Sequence, residues 1–235
     1  TAPLLAEERR LLVAALGRAR NRVLVTAVDS DNGDEALLPS TFFEELAALG
    51  VPRPSTVPLY YRVAASLITQ AASIQALGDA SSGEVEPVLV RAEGVWWLSV
   101  GSDHTDRQLE AHSVAASKQV CAKPVARVAW PWDELRGRAD QLVLESSVHE
   151  GGQWLLYQQG LLARIRPLEE LVAGLPPDVP VQDGLVMFCG TLGAMPNAAG
   201  QGVRAAPAMR LVLRDETLGR SLEHEYATTA LPVVA

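Results

Sequence analysis

The chain has little cysteine and no long apolar run. Only two of its 235 residues are cysteine, Cys121 and Cys189, and no Cys-x-x-Cys spacing occurs. A reducing compartment and two small buried side chains explain them best. No apolar run approaches the length of a membrane span, which argues against a transmembrane protein. The opening TAPLLAEERR carries acids and arginines where a secretory signal needs an apolar core, so we predict a cytoplasmic location.

Positive charge is also in the minority. The chain has 20 lysines and arginines against 28 acidic residues, a formal net charge of -8. An acidic chain repels phosphate backbones, which disfavours nucleic acid as a partner. The balance is uneven, since residues 1–28 are rich in arginine and the stretch DSDNGDE at 29–35 is acidic. Local basicity of this size is more typical of a solvated helix face than of a binding patch.

The first fifty residues are predicted to form a helix, a strand and a second helix. An apolar stripe with arginines toward its C-terminal end predicts a helix over residues 4–21. A β-branched run predicts a strand over 22–28. The second helix is predicted to begin near Thr41 and to end at Gly50. Because the proline-rich stretch VPRPSTVP follows, we place a domain boundary there, with residues 1–50 on one side.

Beyond that boundary, in residues 51–235, predicted strands outnumber helices. The segment EVEPVLVRAEGVWWLSVG predicts two strands around a turn at Glu93-Gly94. A second hairpin is predicted to turn at Gly151-Gly152. Helices are predicted over 106–119 and 167–175, the latter begun by proline. These elements predict an α+β domain with a mixed, largely antiparallel sheet.

Three acidic side chains of this domain predict a divalent metal site. Glu84 and Glu86 are two residues apart on a predicted strand, so both carboxylates project from one face. Crowded carboxylates repel unless a cation lies between them, and Mg²⁺, Mn²⁺ or Ca²⁺ prefers such oxygen ligands. Asp103, at a strand exit, completes an oxygen-only set that argues against zinc, while Asp106 is assigned to a helix cap. The alternative for the glutamates is a solvent-facing strand edge.

Lys118 and the pair Gly190-Thr191 are candidate substrate-side groups. A lysine beside a metal can stabilise developing enolate charge, and Gly-Thr at a strand end offers an amide and a hydroxyl to a substrate carboxylate. A surface lysine and a simple turn are the plain alternatives. The stretch GTLGAMPNAAGQG lacks the Gly-Lys-Ser/Thr of a phosphate-binding loop, which excludes nucleotide binding there.

Taken in series, VEPVL, VGSDHTDR, ASKQVCAKPVA, YQQG and FCGT resemble the fumarylacetoacetate hydrolase superfamily. Residues 51–228 more closely resemble a bacterial family of unknown function within it. The resemblance implies a mixed, mainly antiparallel β-roll, here with a helical N-terminal segment, and a homodimer with Mg²⁺ or Mn²⁺. It also implies C–C hydrolysis, decarboxylation or tautomerisation of a small oxo-acid or β-dicarbonyl substrate through a metal-bound enolate.

The resemblance assigns a role to individual residues. The metal ligands it implies are Glu84, Glu86 and Asp103. The catalytic residues it implies are Lys118, Glu45 and Asp103. The substrate-binding residues it implies are Arg107, Gln158, Gly190 and Thr191. Many members carry His-x-x-Glu on a lid helix, and here Glu45 fits the glutamate but Phe42 stands at the histidine position. Because phenylalanine cannot take a proton, decarboxylation or keto–enol exchange is favoured over hydrolysis.

The N-terminal segment has a resemblance of its own. Residues 1–48, with AEERRLLVAALGRARNRVLVTAV, resemble the last conserved motif region of UvrD-type DNA helicases, where Arg18 would match the nucleotide-sensing arginine. No Walker A element occurs in the chain, so this resemblance implies a chimera or fusion without ATP hydrolysis. Two alternatives to the enzyme therefore stay open. One is a catalytically silent protein with the same scaffold, and the other is a helicase-derived fragment linked to nucleic acid.

Overall fold

Strands dominate the part of the chain that the structure describes. The structure is a computed structural model and describes residues 23–27, 50 and 56–234. The strands are β1 Val23–Ala27, β2 Leu59–Val63, β3 Ile68–Thr69, β4 Ser73–Leu77, β5 Ser81–Ser82, β6 Val85–Ala92, β7 Val95–Ser102, β8 Thr105–Asp106, β9 Lys123–Pro124, β10 Trp130–Pro131, β11 Val143–Glu150, β12 Gln153–Leu161, β13 Val186–Phe188, β14 Ala208–Asp215 and β15 Arg220–Leu231. The α-helices are α1 Arg107–Glu110, α2 Val114–Gln119 and α3 Leu168–Ala173.

Two large sheets and two small ribbons contain these strands. The first sheet has the order β10-β7-β6-β13-β1-β2 and the second has the order β12-β11-β14-β15-β4. Most pairs are antiparallel, whereas β1 with β13, β4 with β15, and β3 with β9 run parallel. The predicted α+β fold with a mixed, mainly antiparallel sheet is confirmed.

Both predicted hairpins are confirmed. β6 and β7 turn at Glu93 and Gly94, whose φ angles are 53° and 76°, and β11 and β12 turn at Gly151 and Gly152 with 60° and 83°. Positive φ at both central residues is the conformation that two-residue hairpin turns of type I′ require. The turn chemistry therefore sets the register of each pair.

The β6–β7 hairpin lies at the centre of the core and is buried on both faces. Leu89 and Leu98 belong to the larger apolar cluster, and Val88 and Val90 belong to a second cluster on the other face. Across the core, β7 contacts β14 and β15 of the other large sheet. A hairpin packed on both sides has few alternative positions, so the residues at its open end are fixed by the core.

The helices are short. The predicted helix over 106–119 is correct in type but wrong in continuity, because the hydroxyl of Ser113 accepts a hydrogen bond from the Ala116 amide and caps a second helix. The Asp106 carboxylate accepts from the Leu109 amide at 2.9 Å, which confirms its capping role. Among the residues that the structure describes, no helix is long and apolar enough to cross a membrane.

Strand β1 joins the N-terminal segment to the main sheet. It pairs in parallel with β13 and antiparallel with β2, so the strand predicted over 22–28 is confirmed within the six-stranded sheet. The helices predicted over 4–21 and from Thr41 toward Gly50 fall outside the described residues. The division of the chain after residue 50 stays a prediction.

Candidate metal centre

The three predicted carboxylates meet at the open end of the β6–β7 hairpin. In the antiparallel register Val85 lies opposite Ser102 and Glu86 opposite Gly101, so Asp103 emerges beside both glutamates. Glu84, Glu86 and Asp103 each offer one carboxylate oxygen, and these three oxygens lie within 4.8 Å of one another. The three residues are buried, at 4%, 1% and 0% exposure. The alternative of a solvent-facing strand edge is therefore wrong.

Two glycines, Gly83 and Gly101, allow close packing of the backbone around the three carboxylates. A Cβ on Gly101 would lie 2.8 Å from the carbonyl oxygen of Pro124 and 2.9 Å from the Phe188 ring. A Cβ on Gly83 would clash with the Met209 sulfur and the hydroxyl of Tyr226. Real side chains do not tolerate such contacts, so glycine at both positions is a condition for the close packing around the carboxylates.

Asp103 is held by two ammonium groups. The Nζ of Lys118 lies 2.6 Å from Asp103 Oδ2, and the Nζ of Lys123 lies 2.9 Å from Oδ1. Burial by itself would raise the pKa of Asp103, but the two lysines outweigh it and hold that pKa below its usual value. Lys118 is 4% exposed, so the alternative of a surface lysine is wrong.

Lys123 was not among the residues predicted from sequence. It is fully buried, and its ammonium also donates to the carbonyl oxygen of His104 at 2.6 Å. A signal was present in the composition. Only two of the twenty basic residues in the chain are lysines, and both contact the same aspartate. The apolar context CAKPVA was a second indication that this lysine is buried.

Arg107 connects Glu84 to a fourth buried acid, Glu110. Its guanidinium lies 2.7 Å from Glu84 Oε1 and 2.8 Å from Glu110 Oε2, and its Nε donates to the Ser82 hydroxyl at 2.7 Å. Burial raises the pKa of Glu84 although Arg107 and Lys118 act against that rise. Arg107 is 8% exposed, and these three contacts fix it beside the carboxylates. Its predicted role toward substrate stays a prediction.

Glu86 differs from its neighbours because the described part of the chain offers it no cationic partner. Its Oε2 accepts a hydrogen bond from the Gly190 amide at 2.8 Å. Among the described residues, no lysine or arginine lies within ion-pair distance of it. Burial, together with the charges of Asp103 and Glu84, raises the pKa of Glu86 well above its usual value. An ionised Glu86 in this position needs a cation that the described side chains do not supply.

Gln158 ties the Gly190-Thr191 loop to the start of β6. Its Nε2 donates to Thr191 Oγ1 at 2.8 Å, and its Oε1 accepts from the Val85 amide at 3.0 Å. Thr191 in turn donates to the Val85 carbonyl oxygen at 2.8 Å. The loop thus lies beside the carboxylates, as does Lys118. The substrate roles predicted for Gln158, Gly190 and Thr191 stay predictions.

His104 contacts neutral side chains and not the carboxylates. Its Nδ1 is 3.1 Å from the Tyr226 hydroxyl, and its Nε2 is 3.0 Å from the Ser81 hydroxyl. Burial, with the nearby charge of Lys123, lowers the pKa of His104 to about 3. The ring is therefore neutral, and both of its nitrogens are engaged outside the acidic cluster.

The sequence matches a family whose description gives no activity. A family described as "Protein of unknown function (DUF2848)" matches residues 39–226. The chain belongs to the DUF2848 family. No curated protein matches it.

Solved structures share the fold of this DUF2848 member. Cg1458 with an inhibitor aligns with a TM-score of 0.67 at 14% identity, over 91% of this chain and 78% of that chain. A 2-keto-3-deoxy-D-arabinonate dehydratase complexed with magnesium and 2,5-dioxopentanoate gives 0.60 at 15%, over 91% and 75%. The 5-carboxymethyl-2-hydroxymuconate delta-isomerase from Mycobacterium smegmatis gives 0.60 at 14%, over 92% and 81%. None of these comparisons supports the helicase resemblance of residues 1–48.

The chemistry of the DUF2848 cluster fits a divalent cation. All donor atoms are carboxylate oxygens, which suit hard ions such as Mg²⁺ and Mn²⁺. Glu84 Oε1 and Asp103 Oδ1 are buried without a hydrogen bond, although each has a cation nearby. Such oxygens retain lone pairs for a metal. Glu45, predicted to activate water, lies outside the described residues.

Proposed function

We propose that this chain is a divalent-metal-dependent enzyme that acts on a small oxo-acid or β-dicarbonyl substrate. The observation that carries the proposal is the buried trio Glu84, Glu86 and Asp103, whose ligand atoms lie within 4.8 Å, with the ammonium of Lys118 2.6 Å from Asp103. A buried carboxylate without a cationic partner, as at Glu86, disfavours the metal-free ionised state.

Each residue of the centre has a distinct part in the proposal. Glu84, Glu86 and Asp103 would hold Mg²⁺ or Mn²⁺, which when bound supplies Lewis-acid polarisation of a substrate carbonyl. Lys118 would stabilise negative charge that develops on the substrate oxygen. The Gly190 amide donates to Glu86, so we assign it to orienting that ligand.

Thr191 and Arg107 are the substrate-side groups of the proposal. Thr191 is partly exposed at the edge of the cluster, and Arg107 lies against Glu84. Gln158 holds the Thr191 hydroxyl in place from the other large sheet. An arginine suits the carboxylate end of an oxo-acid. The Thr191 hydroxyl would donate to that carboxylate in exchange for its present bond to the Val85 carbonyl oxygen.

Two of the structural neighbours support the substrate class. One neighbour is a dehydratase of a 2-keto acid, complexed with magnesium and 2,5-dioxopentanoate, and another is an isomerase of a hydroxymuconate. With Phe42 at the position of the lid histidine, we propose decarboxylation or keto–enol exchange in preference to C–C hydrolysis. The homodimer and the cytoplasmic location remain predictions that accompany this proposal.

Turnover tests the proposal. The full chain is assayed with oxaloacetate, an acylpyruvate and related oxo-acids in the presence of Mn²⁺ or Mg²⁺, and after chelation. We expect metal-dependent turnover that Glu86→Gln and Lys118→Met abolish. Arg136→Met serves as the matched control, because Arg136 is 61% exposed and pairs only with Asp133 in the described structure. Equal turnover with and without the metal would refute the proposal.

A catalytically silent scaffold is the second candidate. The observation in its favour is that Arg107, Lys118 and Lys123 already partner three of the four buried acids around the centre. Such a network could serve folding alone. Binding of Mn²⁺ without turnover of any oxo-acid in the panel would favour this candidate.

A further inference from the structure

Lys123 gives the centre a second ammonium group. It contacts one carboxylate oxygen of Asp103, and Lys118 contacts the other. The ammonium of Lys123 contacts Asp103 Oδ1 at 2.9 Å, whereas Lys118 contacts Oδ2 at 2.6 Å. It is fully buried on β9, where its register partner is Ile68 of β3, and it donates to the His104 carbonyl oxygen. Lys123 is therefore fixed by backbone contacts and cannot leave the centre without a rearrangement of this ribbon.

The charge of the centre follows from its buried members. Among the described residues, four carboxylates surround it when all are ionised: Glu84, Glu86, Asp103 and Glu110. Three cations accompany them: Arg107, Lys118 and Lys123. These described groups, when fully ionised, thus have a net charge of minus one, and a divalent ion converts this to plus one. Without Lys123 the loaded centre would be neutral.

A buried net charge is unfavourable until an opposite charge accompanies it. We infer that Lys123 makes the loaded centre cationic, so that the divalent ion and an anionic ligand bind cooperatively, each raising the affinity for the other. The inference rests on the proposed function and extends it. The substrate class it names is an oxo-acid that binds as the anion. The centre would have little affinity for the divalent ion without the anion, and little affinity for the anion without the ion.

The test is calorimetric titration of the full chain with Mn²⁺, alone and with oxalate. The variant Lys123→Met keeps the length of the stem and removes the charge. We expect it to bind Mn²⁺ alone more tightly than wild type, by about 5-fold to 150-fold. The factor by which oxalate raises the affinity for Mn²⁺ should be smaller in the variant by a similar amount. Arg136→Met, which removes one exposed positive charge, should change neither value.

Two results would contradict the inference, and they differ in what they imply for the proposed function. If wild type binds Mn²⁺ and Lys123→Met binds it equally or more weakly, Lys123 only holds the backbone after Asp103, and the inference is overturned while the proposed function stands. If wild type does not bind Mn²⁺ even with oxalate, both are overturned.

A measurement on wild type alone covers the case in which Lys123→Met does not fold. Oxamate and oxamide have nearly the same shape, but only oxamate is an anion. After division by the affinity of each compound for Mn²⁺ in buffer, oxamate should enhance Mn²⁺ binding more than oxamide does. Equal enhancement would overturn the inference, because charge would then have no part in the coupling.

Discussion

Substitution of Glu86 by glutamine should separate metal binding from folding. Glu86 is 1% exposed, and its described polar contact is the 2.8 Å hydrogen bond from the Gly190 amide. Glutamine has nearly the same shape, and its carbonyl oxygen can accept the same hydrogen bond. Because Glu86 has no cationic partner in the described part of the chain, the substitution leaves none of these charges unpaired.

The expected magnitudes differ sharply between Glu86 and Asp103. Removal of one partner from a buried ion pair costs about 3–5 kcal/mol, because the remaining charge is uncompensated. Asp103→Asn leaves Lys118 and Lys123 in that situation. Glu86→Gln leaves no lysine or arginine of the described residues in that situation. Without metal, the free energy of unfolding of this variant should therefore stay within about 1 kcal/mol of that of wild type. With Mn²⁺ at about 100 times its dissociation constant, wild type should gain about 2.7 kcal/mol and Glu86→Gln almost nothing.

Urea denaturation of wild type, Glu86→Gln and Asp103→Asn, each with chelator and with Mn²⁺, measures all of these values. Two results would refute the reasoning. A metal-free loss in Glu86→Gln as large as that in Asp103→Asn would mean that Glu86 is partnered after all. An equal gain from Mn²⁺ in Glu86→Gln and wild type would mean that Glu86 is not a ligand.

Three other predictions test the surroundings of the centre and the reaction. Gly101→Ala should lower the free energy of unfolding by about 1–3 kcal/mol in urea, since its Cβ would lie 2.8 Å from the Pro124 carbonyl oxygen. Hydrogen bonds from Arg138 lower the pKa of Asp215 to about 2, so its ionised form stabilises the fold above the unfolded pKa near 3.9. Thermal melts should show a loss from Asp215→Asn that is constant above about pH 4 and shrinks as the pH falls toward 2. Oxaloacetate decarboxylation should be faster than acylpyruvate cleavage, and Phe42→His should raise the cleavage selectively, whereas no change would show that residue 42 is not at the lid position.

The parts of the fold that local patterns specify could be predicted from the sequence. The hairpin around Glu93 and Gly94 joins strands that are adjacent in the chain, so residue alternation and turn chemistry are enough to locate it. The same hairpin places Asp103 beside Glu84 and Glu86, because its two open ends lie side by side. The two-residue spacing of the glutamates then accounts for their shared face.

Contacts between distant segments could not be predicted in this way. The amide that binds Glu86 belongs to Gly190, 104 residues later in the chain. Lys123 contacts Asp103 from strand β9, whose position depends on its pairing with the distant strand β3. No periodicity within either segment reports such a pairing. The break between α1 and α2 was missed for a different reason, since Ser113 competes locally for an amide that a continuous helix would use.

The scarcity of lysine has a practical consequence for experiments on this chain. Reagents that modify primary amines will find no exposed lysine side chain, because Lys118 and Lys123 are both buried against Asp103. Apart from the amine at the chain's N-terminus, acylation or reductive methylation will therefore occur only when the centre opens. Isotope-labelled methyl groups introduced at these two amines would give two lysine resonances, and both would report on the environment of one aspartate.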